Sequence, residues 1–179
     1  MVAKLPFRPD RYFDRVSSID VTRDVIDEGI EVVLLDVDNT LRSRADGMVP
    51  PDVLHWLVLL KEAGIQPCLL SNNWHGNVYD LGNELDIPVI AKACKPFPFA
   101  FVRAMYQMGS NAKTTLMVGD QLSTDIWGAH LVGIRAYLVM PLAKVDLKHT
   151  RYVRRAEQVF VSGMTVECGK GKTKMPQAD

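Results

Sequence analysis

The chain of 179 residues is long enough for one domain with a substantial core, and its 47% hydrophobic content excludes a largely disordered protein. The 21 basic and 21 acidic residues balance, so no nucleic-acid partner is expected. Three widely spaced cysteines without a CxxC pair predict reduced thiols rather than a zinc site. The N-terminal residues lack the apolar core of a signal peptide. We therefore expect a cytoplasmic or cytosol-like location, with membrane contact only at the surface.

Apolar segments with helical spacing alternate with short β-branched segments along most of the chain. Helices are predicted at residues 18–28, 50–63, 76–85, 98–108, 124–132 and 150–160. Strands are predicted at residues 30–36, 67–70, 89–90, 115–118 and 134–140. The alternation predicts an α/β fold with a doubly wound parallel sheet. It divides into an entry segment packed on the core at 1–29, one domain at 30–162 and a flexible polar tail at 163–179.

The first predicted strand ends in two carboxylates, Asp36 and Asp38, followed by Asn39 and Thr40. Its apolar, β-branched residues are typical of a strand buried on both faces. Two neighbouring carboxylates at such a position repel each other and are costly to bury, and a hard divalent cation such as Mg²⁺ relieves both costs. For this segment alone, an ordinary acidic turn is the alternative.

Polar residues also follow the later predicted strands. They are Ser71, Asn72 and Asn73 after the second strand, Lys95 after the third, and Asp120 and Asp125 after the fourth. In open α/β sheets ligands bind beyond the carboxyl ends of the strands, so these side chains are predicted to form one site. Asp125 has a second interpretation, compatible with the first, as an acid that favours the dipole at a helix N-terminus.

In this order the segments resemble the four motifs of the haloacid-dehalogenase-like (HAD) superfamily of phosphohydrolases. The matching segments are 36–40, Ser71, Lys95 and 119–125. The chain is most similar to the small IIIA-type, YqeG-like phosphatase family, which includes phosphatidylglycerophosphate phosphatases. That closer resemblance rests on Ser71-Asn72-Asn73, Lys95-Pro96, Thr150-Arg151 with Arg154, and the opening residues 5–10 and 17–19. It implies a HAD-like Rossmannoid domain.

The chemistry of phosphoryl transfer assigns roles to these residues. Asp36 suits the nucleophile that forms an aspartyl-phosphate, and Asp38 suits the general acid and base. The resemblance supports this division, because phosphatases of the superfamily carry Asp at the second position. Lys95 would stabilise the transition state electrostatically.

The remaining site residues are expected to bind metal and phosphate. Mg²⁺ would be held by the Asp36 carboxylate, the main-chain carbonyl of Asp38 and the Asp120 carboxylate, while Asp125 would either bind through water or orient Lys95. Substrate contacts are expected from the polar residues beside the strand ends, namely Asn39, Thr40, Ser71, Asn72 and Asn73.

Basic residues near both ends bear on the substrate. Cations accompany aromatic residues within 4–15, and five more lie within 144–155, including Arg151 and Arg154. These ends either contact anionic lipid headgroups or form solvated surface, and Arg151 and Arg154 could instead bind a second substrate phosphate. Residues 41–50 and 81–95 leave no room for a cap domain, so an open site is expected.

The sequence thus predicts a Mg²⁺-dependent phosphomonoesterase, with phosphatidylglycerophosphate as the favoured substrate. The alternatives are a phosphatase of a small soluble ester or a phosphorylated macromolecule, and a binding or regulatory protein that kept the fold without the activity. The intact set of Asp36, Asp38, Lys95 and Asp120 argues against the last alternative. The oligomeric state is not predicted.

Overall fold

An eight-stranded sheet organises the computed structural model, which describes residues 6–44, 47–73, 77–142, 160–169 and 172–174. The strands are β1 (Arg11–Phe13), β2 (Val32–Leu35), β3 (Gln66–Leu70), β4 (Val89–Ile90), β5 (Thr115–Gly119), β6 (Arg135–Val139), β7 (Val166–Cys168) and β8 (Lys172–Lys174). Their order across the sheet is β4-β3-β2-β5-β6-β1-β7-β8, and only the last pair is antiparallel. This confirms the predicted α/β fold with a parallel sheet.

In the described ranges, four α-helices lie between the strands. They are α1 (Pro51–Glu62), α2 (Asn77–Leu85), α3 (Pro98–Met108) and α4 (Trp127–Leu131). Proline begins α1 and α3, where its missing N–H group costs nothing. Gly109 ends α3 in a left-handed conformation, with φ of 65°, that favours glycine. Within the described residues no cap domain interrupts the alternation, as predicted.

The two faces of the sheet carry separate apolar clusters. On β2, Val33 and Leu35 belong to one cluster, which includes the buried side of α1. Val32 and Leu34 belong to the other cluster, which includes the buried sides of α3 and α4. Because side chains alternate along a strand, a β-strand covered on both faces is apolar throughout, and all four residues of β2 are buried.

The N-terminal segment contributes a strand that the sequence analysis did not predict. β1 lies between β6 and β7, and instead of one helix at 18–28 the chain forms a short 3₁₀ turn at Val16–Ser18 and a π-helical turn at Val21–Ile26. The side chain of Asp20 caps the second turn by accepting a hydrogen bond from the Arg23 N–H.

The predicted flexible tail at 163–179 is wrong for residues 166–168 and 172–174. β7 pairs with the outer edge of β1, which would otherwise leave backbone hydrogen-bonding groups without partners. Arg11 on β1 also forms an ion pair with Glu167 on β7. The helix predicted at 150–160 lies outside the described residues except at its last position.

Two further sequence expectations concern cysteines and membranes. Cys68, Cys94 and Cys168 are free thiols. In the described part of the chain, no helix combines the length and apolar character that crossing a bilayer requires.

Candidate active site

The site lies where three neighbouring central strands end. β2 runs between β3 and β5, with Leu35 aligned to Leu69 on one side and to Val118 on the other. The loops that follow these strands therefore begin side by side, and they carry Asp36, Ser71 and Asp120. The parallel register explains how residues far apart in sequence reach one pocket.

Asp36 occupies the centre of this edge. It is 7% exposed, and its Oδ1 accepts a hydrogen bond of 2.7 Å from the Lys95 ammonium group. Its Oδ2 accepts a weaker one of 3.3 Å from the hydroxyl of Thr40. Burial raises the pKa of Asp36 to about 6, against the opposing effect of Lys95. The end of β2 fixes the backbone of Asp36, and Lys95 gives its carboxylate one strong cationic partner.

Lys95 bridges two carboxylates. Its Nζ lies 2.7 Å from Asp36 Oδ1 and 2.7 Å from Asp125 Oδ1, and the side chain is almost fully buried. Burial alone lowers the pKa of a lysine, but attraction to Asp125 and Asp36 outweighs it and holds the pKa of Lys95 above its usual range. Lys95 is therefore a fixed positive charge beside Asp36. This is the contact between Asp125 and Lys95 that the sequence analysis offered as one option.

Asn72 holds the backbone of Lys95 in place. Its Oδ1 accepts the Lys95 N–H at 2.7 Å, and its Nδ2 donates to the Lys95 carbonyl at 3.1 Å. The amide thus matches both backbone groups of a residue 23 positions away. These bonds make Asn72 a positioning residue for Lys95, in addition to its place in the pocket wall.

Three buried carboxylates could hold a divalent cation. Asp36, Asp120 and Asp125 each offer an oxygen, and these oxygens lie within 4.8 Å of one another. When ionised they carry three negative charges against the one positive charge of Lys95, so an additional cation would stabilise the cluster. Carboxylate oxygens are the ligands that Mg²⁺ and similar hard cations prefer, so the donor set fits such an ion.

Gly119 makes room for this cluster. A Cβ atom at Gly119 would overlap the carboxylate of Asp125. The same carboxylate accepts a hydrogen bond of 3.1 Å from the Gln121 N–H through its Oδ2. A glycine at the end of β5 therefore allows Asp125 to fold back onto the strand that also presents Asp120.

The carboxylate of Asp38 lines the same pocket as Asp36 and forms an ion pair with Arg42. Arg42 donates a hydrogen bond of 2.9 Å to Asp38 Oδ1. The loop reverses sharply at Asn39, whose φ of 66° lies in the left-handed region, and the Asn39 N–H donates to the Arg42 carbonyl at 2.7 Å. Asp38 is thereby held in the pocket wall with its side chain partly exposed.

The pocket has a volume of about 220 Å³ and is lined by polar and charged residues. Its lining residues are Asp36, Asp38, Arg44, Ser71, Asn72, Asn73, Lys95, Gln121 and Thr124. The structure thus brings together most of the residues predicted from the strand ends. Asn39 and Thr40 instead lie beneath it, buried, where Asn39 Oδ1 accepts the Arg44 N–H at 3.3 Å.

Arg42 and Arg44 are site residues that sequence reasoning missed. The one available signal was the spacing of Asp38 and Arg42, opposite charges four residues apart, which favours an ion pair only if the chain turns there. Arg151 and Arg154 lie outside the described residues, so their predicted role in substrate binding stays a prediction.

Comparisons with known proteins agree with this geometry. A family model described as HAD-hydrolase-like matches residues 93–141. The probable phosphatase YqeG of Bacillus subtilis is 32% identical over 158 residues, which are 88% of this chain and 91% of that protein. The phospholysine phosphohistidine inorganic pyrophosphate phosphatase of Xenopus laevis is 44% identical over 45 residues, 25% of this chain and 17% of that protein.

A solved structure extends the similarity to the fold. The cobalt-bound deoxy-D-mannose-octulosonate 8-phosphate phosphatase of Haemophilus influenzae superimposes with a TM-score of 0.52 at 18% identity, covering 75% of this chain and 89% of that one. The match to YqeG spans nearly the whole of both proteins and includes all the strand ends that form the pocket. The chain therefore belongs to the HAD-like hydrolases, as a phosphatase of the YqeG-like type.

Proposed function

We propose that this phosphatase hydrolyses phosphomonoesters through an aspartyl-phosphate on Asp36, with Mg²⁺ as its metal. The observation that carries the proposal is the position of Asp36, buried at the end of β2 with Lys95 Nζ at 2.7 Å and two more carboxylates beside it. A nucleophile next to a fixed cation and a cation-binding cluster has what in-line phosphoryl transfer requires.

The residues divide the work as follows. An Asp36 oxygen attacks phosphorus, the ester oxygen leaves, and Asp38 in the pocket wall supplies its proton. Asp38 then takes a proton from the water that hydrolyses the aspartyl-phosphate. Lys95 stabilises the negative charge on the transferring phosphoryl group. Asp36, Asp120 and Asp125 would hold Mg²⁺, which would further neutralise the charge of the phosphoryl oxygens.

For the substrate we propose phosphatidylglycerophosphate. Support comes from the resemblance to the IIIA-type family and from the uncovered pocket, since no cap domain lies over it in the described residues. Arg44 in the pocket wall adds a cation that suits a headgroup with a second, diester phosphate. A small soluble phosphate ester is the second candidate, favoured by the polar and charged residues that line the pocket, since they suit a hydroxylated substrate.

The test is phosphate release from phosphatidylglycerophosphate in mixed micelles, beside a panel of soluble esters that includes sugar phosphates. We expect the lipid to be preferred, with activity lost in EDTA and recovered with Mg²⁺. Asp36→Asn should abolish turnover of every substrate, whereas Asp27→Asn, at an exposed carboxylate, should leave it unchanged. Activity confined to soluble esters would contradict the lipid substrate, and full activity of Asp36→Asn would contradict the nucleophile.

A further inference from the structure

The rim of the active site carries a pair of exposed aromatic side chains. Phe97 and Phe99 are 62% and 58% exposed, and their rings stack with centroids 6.3 Å apart. They follow Lys95 by two and four residues, where the chain passes from the loop that carries this pocket residue into α3. Two adjacent phenylalanines exposed to water are costly unless another surface covers them.

The position of α3 separates these residues from other exposed apolar groups. The helix has 11 residues and is therefore about 16 Å long. Its N-terminus lies at the carboxyl edge of the sheet, because the chain enters it from the loop that carries Lys95. Tyr106, which is 87% exposed, lies near the opposite end, away from the pocket.

Exposed cations belong to the loops around the pocket, whose carboxylates Asp36, Asp120 and Asp125 are buried. The stretch 87–119, which includes the aromatic pair, contains four cations and no acidic residue. Lys92 is exposed in the same loop as Lys95, and its N–H donates to the Asn73 carbonyl at the pocket wall. The exposed Arg44 lines the pocket from the loop after β2. The carboxylate of Asp52, at the start of α1, is neutralised by an ion pair with Arg15 at 2.9 Å.

We propose that this docking rim, formed by Phe97, Phe99, Lys92 and Arg44, rests on an anionic phospholipid bilayer. Aromatic side chains beside cations match the two parts of such an interface, the acyl boundary and the charged headgroups. A symmetric contact between two copies would bring the same cations of each rim together, which like-charge repulsion disfavours. This inference rests on the proposed lipid substrate, since docking here would turn the pocket toward the headgroups.

The experiment compares wild type with F97S/F99S and with a control on the same helix, Y106S. Binding is measured by sedimentation with vesicles of equal parts phosphatidylglycerol and phosphatidylcholine, and with pure phosphatidylcholine. We expect wild type and Y106S to bind the anionic vesicles, and F97S/F99S to bind them about 100-fold more weakly, since each fully buried Phe contributes at least about tenfold. Hydrolysis of para-nitrophenyl phosphate in solution should be equal in all three proteins, which also reports intact folding.

A second measurement does not depend on losing a contact. In F97W the added tryptophan should be quenched by brominated lipids in anionic vesicles, relative to wild type. Equal vesicle binding by all three proteins, no wild-type binding to anionic vesicles, or an unquenched F97W would each overturn the docking rim. Conversion of a dimer to a monomer by F97S/F99S with unchanged vesicle binding would overturn it in favour of a second copy.

The outcomes separate docking from the proposed substrate. Wild type that binds the vesicles through Phe97 and Phe99 without hydrolysing phosphatidylglycerophosphate in them would contradict the substrate and support the docking rim. Hydrolysis of that lipid in vesicles at the same rate by wild type and F97S/F99S would support the substrate and overturn the docking rim.

Discussion

At the scale of single residues, Asn72 shows how a side chain can act through another. Both polar atoms of its amide are bonded to the backbone of Lys95, and Lys95 in turn spans Asp36 and Asp125. A small displacement of this ammonium group would weaken two contacts at once. The precision of the site therefore depends on a residue whose own contacts are to the backbone.

We expect Asn72→Ala to lower kcat by about 10-fold to 100-fold, because displacing a catalytic group by about 1 Å can reduce the rate that much. Steady-state kinetics on a soluble ester would measure it, with Asn83→Ala, at an exposed site on α2, as control. In a Lys95→Ala background, Asn72→Ala should cause little further loss. If Asn72→Ala lowered kcat by the same factor in the Lys95→Ala background as in wild type, the positioning role would be contradicted.

Gly119 is the second residue whose effect is indirect. Gly119→Ala places a methyl group against the Asp125 carboxylate, so we expect roughly 100-fold lower activity and some loss of stability. The double variant Gly119→Ala/Asp125→Gly should recover stability without recovering activity, as measured by denaturant unfolding and phosphate release. Gly169→Ala, where the added carbon meets Ser18 only at ordinary contact distances, should be neutral. Full activity of Gly119→Ala would show that Asp125 can move without consequence.

At the scale of elements, an ion network joins β1, the turn at 21–26 and β7. Asp24 is fully buried and accepts hydrogen bonds from Arg11 at 2.5 Å and from Arg23 at 2.6 Å. Burial works against the charge of Asp24, but these bonds prevail and hold its pKa below the usual range. Arg11 also contacts Glu167. The network therefore joins three segments of the chain.

The lowered pKa of Asp24 sets a pH dependence of stability. Its contribution is fully present above the unfolded-state pKa of about 4 and is lost as the pH falls through the lower folded-state value. We expect Asp24→Asn to reduce the free energy of unfolding by about 3 kcal/mol at pH 7 and to flatten its decline in acid. Urea unfolding between pH 3 and pH 7 would measure both effects, with the exposed Asp27→Asn as control. If the free energy of unfolding of Asp24→Asn fell with decreasing pH as steeply as that of wild type, Asp24 would be excluded as the cause of the decline.

The same elements show what sequence reasoning can and cannot reach. α3 was predicted with its observed bounds, because proline and glycine mark its ends. The strand β2 was predicted as 30–36, longer than the observed Val32–Leu35, because its apolar run stands out in any context. β1 and β7 were missed because three residues such as Arg11–Phe13 carry too little pattern. Their strand conformation depends on partner strands that are distant in sequence. A local sequence pattern does not reveal such partners.

The site residues also fall into two groups, those that the sequence predicted and those that it did not. Asp36, Lys95 and Asp120 were found because each directly follows a predicted strand or its loop, where the topology requires functional groups. Arg42 and Arg44 were missed because their positions depend on the left-handed turn at Asn39, which brings Arg42 back to Asp38. Such a turn follows from the folded loop and has no clear signature in the order of residues.

At the scale of the whole molecule, the carboxylate cluster links metal binding to stability. Mg²⁺ present at 100 times its Kd would add about 2.7 kcal/mol, raising Tm by roughly 5 to 10 °C for a chain of this size. We expect Asp120→Asn to lose this increase and, without metal, to be more stable than wild type, since one of three crowded charges is removed. Thermal unfolding with Mg²⁺ and with EDTA would measure it, with the exposed Asp86→Asn as control. An equal response to Mg²⁺ in wild type and Asp120→Asn would contradict the site.

The place of β1 in the sheet also has a consequence for synthesis. β1 is synthesised before its sheet neighbours β6 and β7, and Arg11 meets Glu167 across 156 positions of sequence. Such distant pairing raises the contact order and slows folding. The nascent chain must therefore carry an unpaired β1 until β6 has been made and has left the exit tunnel, so this half of the sheet closes only after the central strands have been synthesised.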